Sequence, residues 1–175
     1  LRQRLNFLHD QDPENWPLLD EPGLARCLDD WLVPFLAGIT SLEKFSTTAL
    51  RDGLMMLAGP EKKRELDDLA PAHFVAPTGS RLPLDYEKQT PVLRLRPQEL
   101  FGIDQHPSVM AGQVPIEIEF LSPAGRPIQI TRDLPGFWRG SWKDVRADLR
   151  GRYPKHPWPE EPHRAEPTKR VKPRK

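Results

Sequence analysis

The chain has 175 residues, enough for one domain or a domain with a small appendage around a buried core. Hydrophobic residues at 37% and charged residues at 29% describe an ordinary soluble composition, with no stretch near the roughly 18 uncharged apolar residues that would span a membrane. A single cysteine, Cys27, excludes an internal disulfide and any multi-cysteine metal site, and it fits a reducing cytoplasm.

Proline is the outlier, 21 residues against roughly 9 at average usage. Proline ends helices and is barred from central strands, so short elements joined by rigid turns are expected. The net charge of +1 conceals a gradient. Residues 1–71 hold 8 Lys/Arg and 13 Asp/Glu (−5), residues 72–158 hold 12 and 9 (+3), and residues 159–175 hold 6 and 3 (+3). An acidic front and a basic back point any anionic partner to the back. Leu1 to Leu8 reads like the inside of a helix, so the chain is expected to be a fragment of a longer protein.

Residues 1–71 are predicted to be helical. Leu24, Leu28, Trp31 and Leu32 recur at helical spacing, with Pro22 in the first turn and Pro34 as a stop. Cys27 in that run is expected to be buried filler. Leu42, Phe45, Ala49, Leu54 and Leu57 mark the next helix, ended by Gly59-Pro60. A short charged helix then runs through Leu66 and Leu69.

At His73 the pattern changes. His73–Ala76, the Pro77-Thr-Gly-Ser turn and Leu82–Tyr86 predict a β-hairpin. Val92, Leu93 and Leu95 form a strand candidate with Arg94 and Arg96 between them, and 97–101 is one helical turn. Ile116, Ile118 and Phe120 alternate with Glu117 and Glu119. A Ser122–Gly125 turn leads to a return strand with Ile128 and Ile130 on one face and Gln129 and Thr131 on the other. Ser141 is predicted to open the last helix, with Asp144 as a variant capping box and Trp142, Val145 and Leu149 as the apolar face. From Pro159 the chain is polar, proline-rich and basic, and a disordered tail is expected. The predicted fold is α+β: a helical segment (1–71), a unit (72–158) with a small antiparallel sheet built from hairpins and a covering helix, and a tail (159–175).

Catalytic signatures are absent: there is no phosphate loop, H-E-x-x-H, G-x-S-x-G or C-x-x-C. The five histidines (9, 73, 106, 156 and 163) lack ligand spacing and read as structural. Glu117 and Glu119 are explained by strand alternation. The candidate site is the basic, aromatic stretch near the end. Lys143, Arg146 and Arg150 fall at i, i+3 and i+7, a stripe that is either a phosphate-contacting surface or a solvated helix face. Arg139, Arg152 and Lys155 flank it. Trp158, in Pro-Trp-Pro, is either a base-stacking platform or a clamp holding the tail on the domain.

These residues also carry a resemblance. The run Asp133-Leu-Pro-Gly-Phe-Trp, followed by Arg152-Tyr-Pro-Lys-His-Pro-Trp-Pro-Glu-Glu-Pro162, resembles the D-L-x-x-F-W and R-Y-P-K-H-x-W-P-E-D-P strings that close HrpB-type ATP-dependent RNA helicases. Glu161 stands where those have aspartate. Leu121-Ser-Pro-Ala-Gly-Arg-Pro-Ile-Gln-Ile-Thr-Arg-Asp, Pro77-Thr-Gly-Ser-Arg, Leu84-Asp-Tyr and Gln98-Glu-Leu-Phe-Gly are similar to further family strings. The resemblance implies the C-terminal region of a bacterial DEAH/RHA-like superfamily 2 helicase, non-catalytic by itself, with ATP and Mg²⁺ handled by motor domains in cis. The implied partners are those motor domains, single-stranded RNA or a partner protein, with no membrane insertion.

Overall fold

The computed structural model describes residues 1–39, 41 and 46–169. The chain divides into two compact units, Leu1–Ala72 and His73 onward. Among the described residues no helix is long and apolar enough to cross a membrane.

The first unit is helical, as predicted. Helix α1 (Arg2–Gln11) buries Leu5, Phe7 and Leu8. Arg4 is buried beside them. Its Nε donates to Ala70 O (2.5 Å), and its guanidinium also reaches Leu66 O (3.2 Å) and the Asp67 carboxylate (2.6 Å). It thereby supplies a donor to the Ala70 carbonyl just past helix α5 (Lys63–Leu69), and a second donor to Leu66 O, which already accepts from Ala70 N (2.9 Å). Helix α2 (Glu21–Arg26) starts with the Asp20 carboxylate accepting from Gly23 N (2.7 Å) and with Pro22 in the first turn. One continuous helix through Leu32 does not form. The backbone breaks at Cys27 (φ −114°, ψ 30°) before helix α3 (Leu28–Trp31), so Leu28 is exposed while Trp31 is buried. Cys27 itself is half-buried, its Sγ 3.2 Å from Gly23 O. Helix α4 (Thr47–Ala58) is capped by Ser46 and ends at Gly59, whose φ of 96° favours glycine. Leu54 is buried and Ala49 and Leu57 are half-buried; Leu42 and Phe45 lie outside the described residues.

The second unit is a five-stranded sheet of β1 (His73–Val75), β2 (Arg81–Asp85), β3 (Val92–Leu95), β6 (Glu117–Leu121) and β7 (Pro127–Thr131), neighbours in that order, beside a small hairpin of β4 (Ser108–Val109) and β5 (Val114–Pro115). Strands β1 (His73–Val75) and β2 (Arg81–Asp85) form the predicted hairpin, with His73 opposite Pro83. The sheet is mixed rather than antiparallel throughout. Strand β3 (Val92–Leu95) pairs in parallel with β6 (Glu117–Leu121), Leu93 beside Ile118 and Leu95 beside Phe120. The intervening segment, 96–116, is long enough for the crossover a parallel pair needs. It contains the one-turn helix at Pro97–Leu100 and the β4–β5 hairpin.

Leu93, Leu95, Ile118 and Phe120 are buried. On the other face Arg94 bridges Asp85 and Glu119, each at 2.8 Å, and Arg132 bonds Glu117 at 2.8 Å. Glu117 and Glu119 are thus ion-paired strand residues, and the Arg94 hydrogen bond, aided by the backbone N–H of Glu87, holds the Asp85 carboxyl below its usual range.

Strand β7 (Pro127–Thr131) inverts the predicted faces. Gln129 stands opposite Phe120 and Thr131 opposite Ile118, so Ile130 pairs with Glu119 on the outer face and is 56% exposed. A register shift puts Pro127, not Ile128, opposite Leu121. The extra residue is a bulge, and a one-residue shift exchanges the faces of a strand.

Candidate nucleic-acid interface

The candidate cations sit on or beside two helices that pack on the sheet through aromatic rings. Helix α6 (Leu134–Arg139), not predicted from the sequence, is capped by Asp133, which accepts from Gly136 N at 2.9 Å. A Cβ at Gly136 would fall 2.0 Å from the Asp133 carboxylate, so a larger residue there would have to push the capping side chain aside. The Phe137 ring stacks on Phe120 at 4.9 Å, and Trp138 Nε1 donates to Ile103 O (3.1 Å).

His106 fastens the start of α6. Its Nδ1 accepts from Leu134 N (3.0 Å), which leaves Nε2–H to donate to Ile116 O (2.8 Å). Both ring nitrogens are committed in the neutral form, and burial is the main cause that pushes the imidazole pKa below 6.5. Because the folded value is depressed, this contribution to stability is complete above pH 6.5 and is lost as pH falls below it. Urea titrations from pH 7.5 down to pH 5 should show a decline that His106→Gln flattens; equal pH slopes in the two proteins would contradict the assignment.

Helix α7 (Trp142–Arg152) follows after Gly140. The predicted capping box does not form. Ser141 precedes the helix but has helical φ/ψ (−63°, −18°), and its hydroxyl caps nothing. A capping serine needs an extended backbone to reach the N3 amide, and the tight α6–α7 junction denies it one. The apolar face is largely as predicted: Trp142 and Leu149 are buried and Val145 is half-buried.

After α7 the chain folds back on the helix. Trp158 Nε1 donates to Tyr153 O (2.8 Å), Arg146 Nε to Trp158 O (2.9 Å), and Trp142 Nε1 to Pro159 O (2.9 Å). The strap continues: Gly102 N bonds Pro162 O (2.9 Å) and Thr168 N bonds Gln98 O (3.1 Å), around a helical turn at Pro162–Arg164. Residues 159–169 are therefore ordered against the unit, where a disordered tail from Pro159 was expected; residues 170–175 lie outside the described residues. A strap held by backbone bonds to the 98–102 turn and by one indole needs no apolar periodicity of its own, so sequence periodicity does not register it.

The seven candidate residues separate into three groups. Trp158 is 6% exposed and lies 6.2 Å from the Trp142 ring, which is the clamp position and leaves no open face for a base. Arg139, Arg146 and Arg152 are committed to carboxylates: Arg139 to Asp104, Arg146 to Glu160 (2.8 Å) and Arg152 to Asp148 (2.9 Å). Arg146 is also mostly covered, its side chain 20% exposed, so the three-residue stripe loses its middle member. Lys143, Arg150 and Lys155 are exposed and pair with no carboxylate among the described residues.

Arg139, Lys143 and Arg146 come together around one cleft of about 330 Å³ with Trp138, Trp142 and Glu160. Arg150, Arg152 and Lys155 do not line it. A second cavity, about 220 Å³, collects Arg96, His156 and Lys169, which sequence reasoning missed. Two cations and a histidine from three separate segments leave no local spacing to detect. Burial, then the positive charge of Arg96, lowers the His156 pKa.

The sequence has no phosphate loop, and among the described residues no group of three His, Cys, Asp or Glu side chains could hold a metal.

Comparison with known proteins follows the same lines. The profile of the ATP-dependent helicase C-terminal family, HrpB_C, matches residues 31–162. The ATP-dependent RNA helicase HrpB of Escherichia coli K12 is 41% identical over 174 residues, which is 98% of this chain and 22% of that protein. The crystal structure of the E. coli DExH-box NTPase HrpB superposes with a TM-score of 0.85 over 97% of this chain at 39% identity. A crystal structure of the E. coli DEAH/RHA helicase HrpB superposes with a TM-score of 0.69 over 90%. The chain spans about one fifth of the length of these relatives. By profile, sequence and structure, this chain belongs to the HrpB-type ATP-dependent helicase C-terminal family.

Proposed function

We propose that this chain is an accessory, non-catalytic C-terminal part of an ATP-dependent RNA helicase, working in the cytoplasm, whose α+β unit contacts the phosphate backbone of single-stranded RNA. ATP and Mg²⁺ belong, on this reading, to motor domains in cis. The observation that carries it is the set of exposed cations, Lys143, Arg150 and Lys155, that have no carboxylate partner among the described residues. Trp138, Trp142 and Trp158 are sequestered in the core, so the contact is with phosphates and independent of sequence.

A second reading has its own support. Arg139, Arg146 and Arg152 are tied to carboxylates, as in a structural or protein-interaction module without nucleic-acid contact. Arg150 and Arg152 also occupy the last turn of α7, where cations favour the helix dipole.

The combined variant Lys143→Glu, Arg150→Glu and Lys155→Glu decides between the two. These side chains are exposed, so the fold should survive by circular dichroism. RNA affinity at low salt should fall roughly 10- to 100-fold. Unchanged affinity in a folded variant would leave the structural reading standing.

A further inference from the structure

The cleft where α6 meets α7 has a composition the ion pairs alone do not explain. Trp138 and Trp142 supply indole carbon, since both ring N–H groups are committed to backbone carbonyls, Ile103 O and Pro159 O. Arg139, Lys143 and Arg146 supply the charge. Lys143 has no carboxylate partner among the described residues. Arg146 commits Nε to Trp158 O and Nη2 to Glu160, and its Nη1 has no partner among the described residues.

Arg139 is paired with Asp104, so the carboxylate in the cleft lining is Glu160, which bonds Arg146 at 2.8 Å and whose side chain is 81% exposed. An ion pair with one partner so exposed is weak and readily exchanged for another anion. We infer that the cleft is a phosphate seat for single-stranded RNA and that Glu160 is a built-in stand-in which an RNA phosphodiester displaces. This rests on the RNA reading above and names its site.

The polymer is favoured over a free nucleotide because the cationic line runs on. Arg150 lies two turns beyond Lys143 on α7, roughly 10 Å along the axis. A backbone leaving the cleft passes it, whereas a mononucleotide seated in the cleft does not reach it. The sites also differ in kind: the cleft holds one phosphate, while Arg150 and Lys155 offer an open track.

The test uses the 175-residue chain and a fluorescent 12-nucleotide oligouridylate, read by anisotropy. Glu160→Gln removes the internal anion and keeps the shape. It should tighten binding about three- to tenfold. Lys143→Glu should weaken binding and flatten the log–log salt slope by about 0.7, one phosphate contact on a single strand. Uridine monophosphate at equal phosphate concentration should compete poorly.

If Glu160→Gln and Glu160→Ala both bind no tighter than the wild type while Arg150→Glu with Lys155→Glu still weakens binding, the seat is wrong and the broader RNA reading stands. If neither wild type nor Glu160→Gln binds RNA, both fall. Equal competition by uridine monophosphate would overturn the polymer assignment.

Discussion

Replacing Trp142 with alanine is expected to lower the stability of the second unit by about 4 kcal/mol. The indole is 1% exposed and sits at the centre of the aromatic core. It meets Trp138 at 5.3 Å, Phe101 at 5.9 Å and Phe137 at 6.0 Å, all edge-on, and Trp158 at 6.2 Å. Truncation removes those ring contacts and opens a cavity that rigid neighbours fill poorly. It also leaves Pro159 O without the indole N–H, so the strap over α7 loses its first anchor. A unit of this size has only about 5–15 kcal/mol to lose, so the variant should be unfolded or close to it at 37 °C. Trp142→Phe keeps most of the ring packing and loses the N–H, and should cost about 1–2 kcal/mol. Urea denaturation measures both. A change under about 1 kcal/mol for the alanine variant would mean that the rings pack independently.

The second large effect is expected in the helical unit. Arg4→Met keeps most of the side-chain volume but removes the donors to Ala70 O and Leu66 O. Leu66 O keeps its bond from Ala70 N at the end of α5, so the loss falls on Ala70 O. One uncompensated buried acceptor at about 1–3 kcal/mol sets the scale, and the Asp67 carboxylate, half-exposed, stays solvated, so about 1–3 kcal/mol is expected. Hydrogen exchange should show faster exchange at the amides of α5, with α1 freed from its contact to that helix end. Unaltered protection at α5 would show that Arg4 is a passenger rather than a cap.

How far the fold can be read from residues alone depends on the range of each interaction. Ile116, Ile118 and Phe120 alternate with glutamates, and the Ser122–Gly125 turn joins two strands, so the β6–β7 hairpin is legible locally. The face of Ile130 is not, because one bulge residue near Pro127 reverses it. The parallel β3–β6 pair joins residues 25 positions apart, and nothing in either strand's pattern names its partner. Helix α6 is six residues long with Pro135 and Gly136 inside it, too short and too broken for periodicity; the capping Asp133 was its one local signal.

The same distinction governs the site. Sequence spacing correctly collects Lys143, Arg146 and Arg150 on one helix but does not reveal which of them is occupied. Arg139 is paired across 35 positions with Asp104, and Arg146 across 14 with Glu160. The Arg152–Asp148 pair, by contrast, has i,i+4 spacing and was readable from the start. The family string around Trp158 is now explained by packing: its tryptophan and the preceding Tyr153 carbonyl close the turn that returns the chain to α7.

Salt dependence tests the proposed contact of this unit with RNA phosphates most directly. Binding of the 175-residue chain to a single-stranded oligouridylate should weaken with salt along a log–log slope near −2, about −0.7 for each of three contacts. The Lys143→Glu, Arg150→Glu, Lys155→Glu variant should lose that slope together with its affinity. A wild-type chain that does not bind RNA at low salt, or binds with no salt slope, would contradict the account.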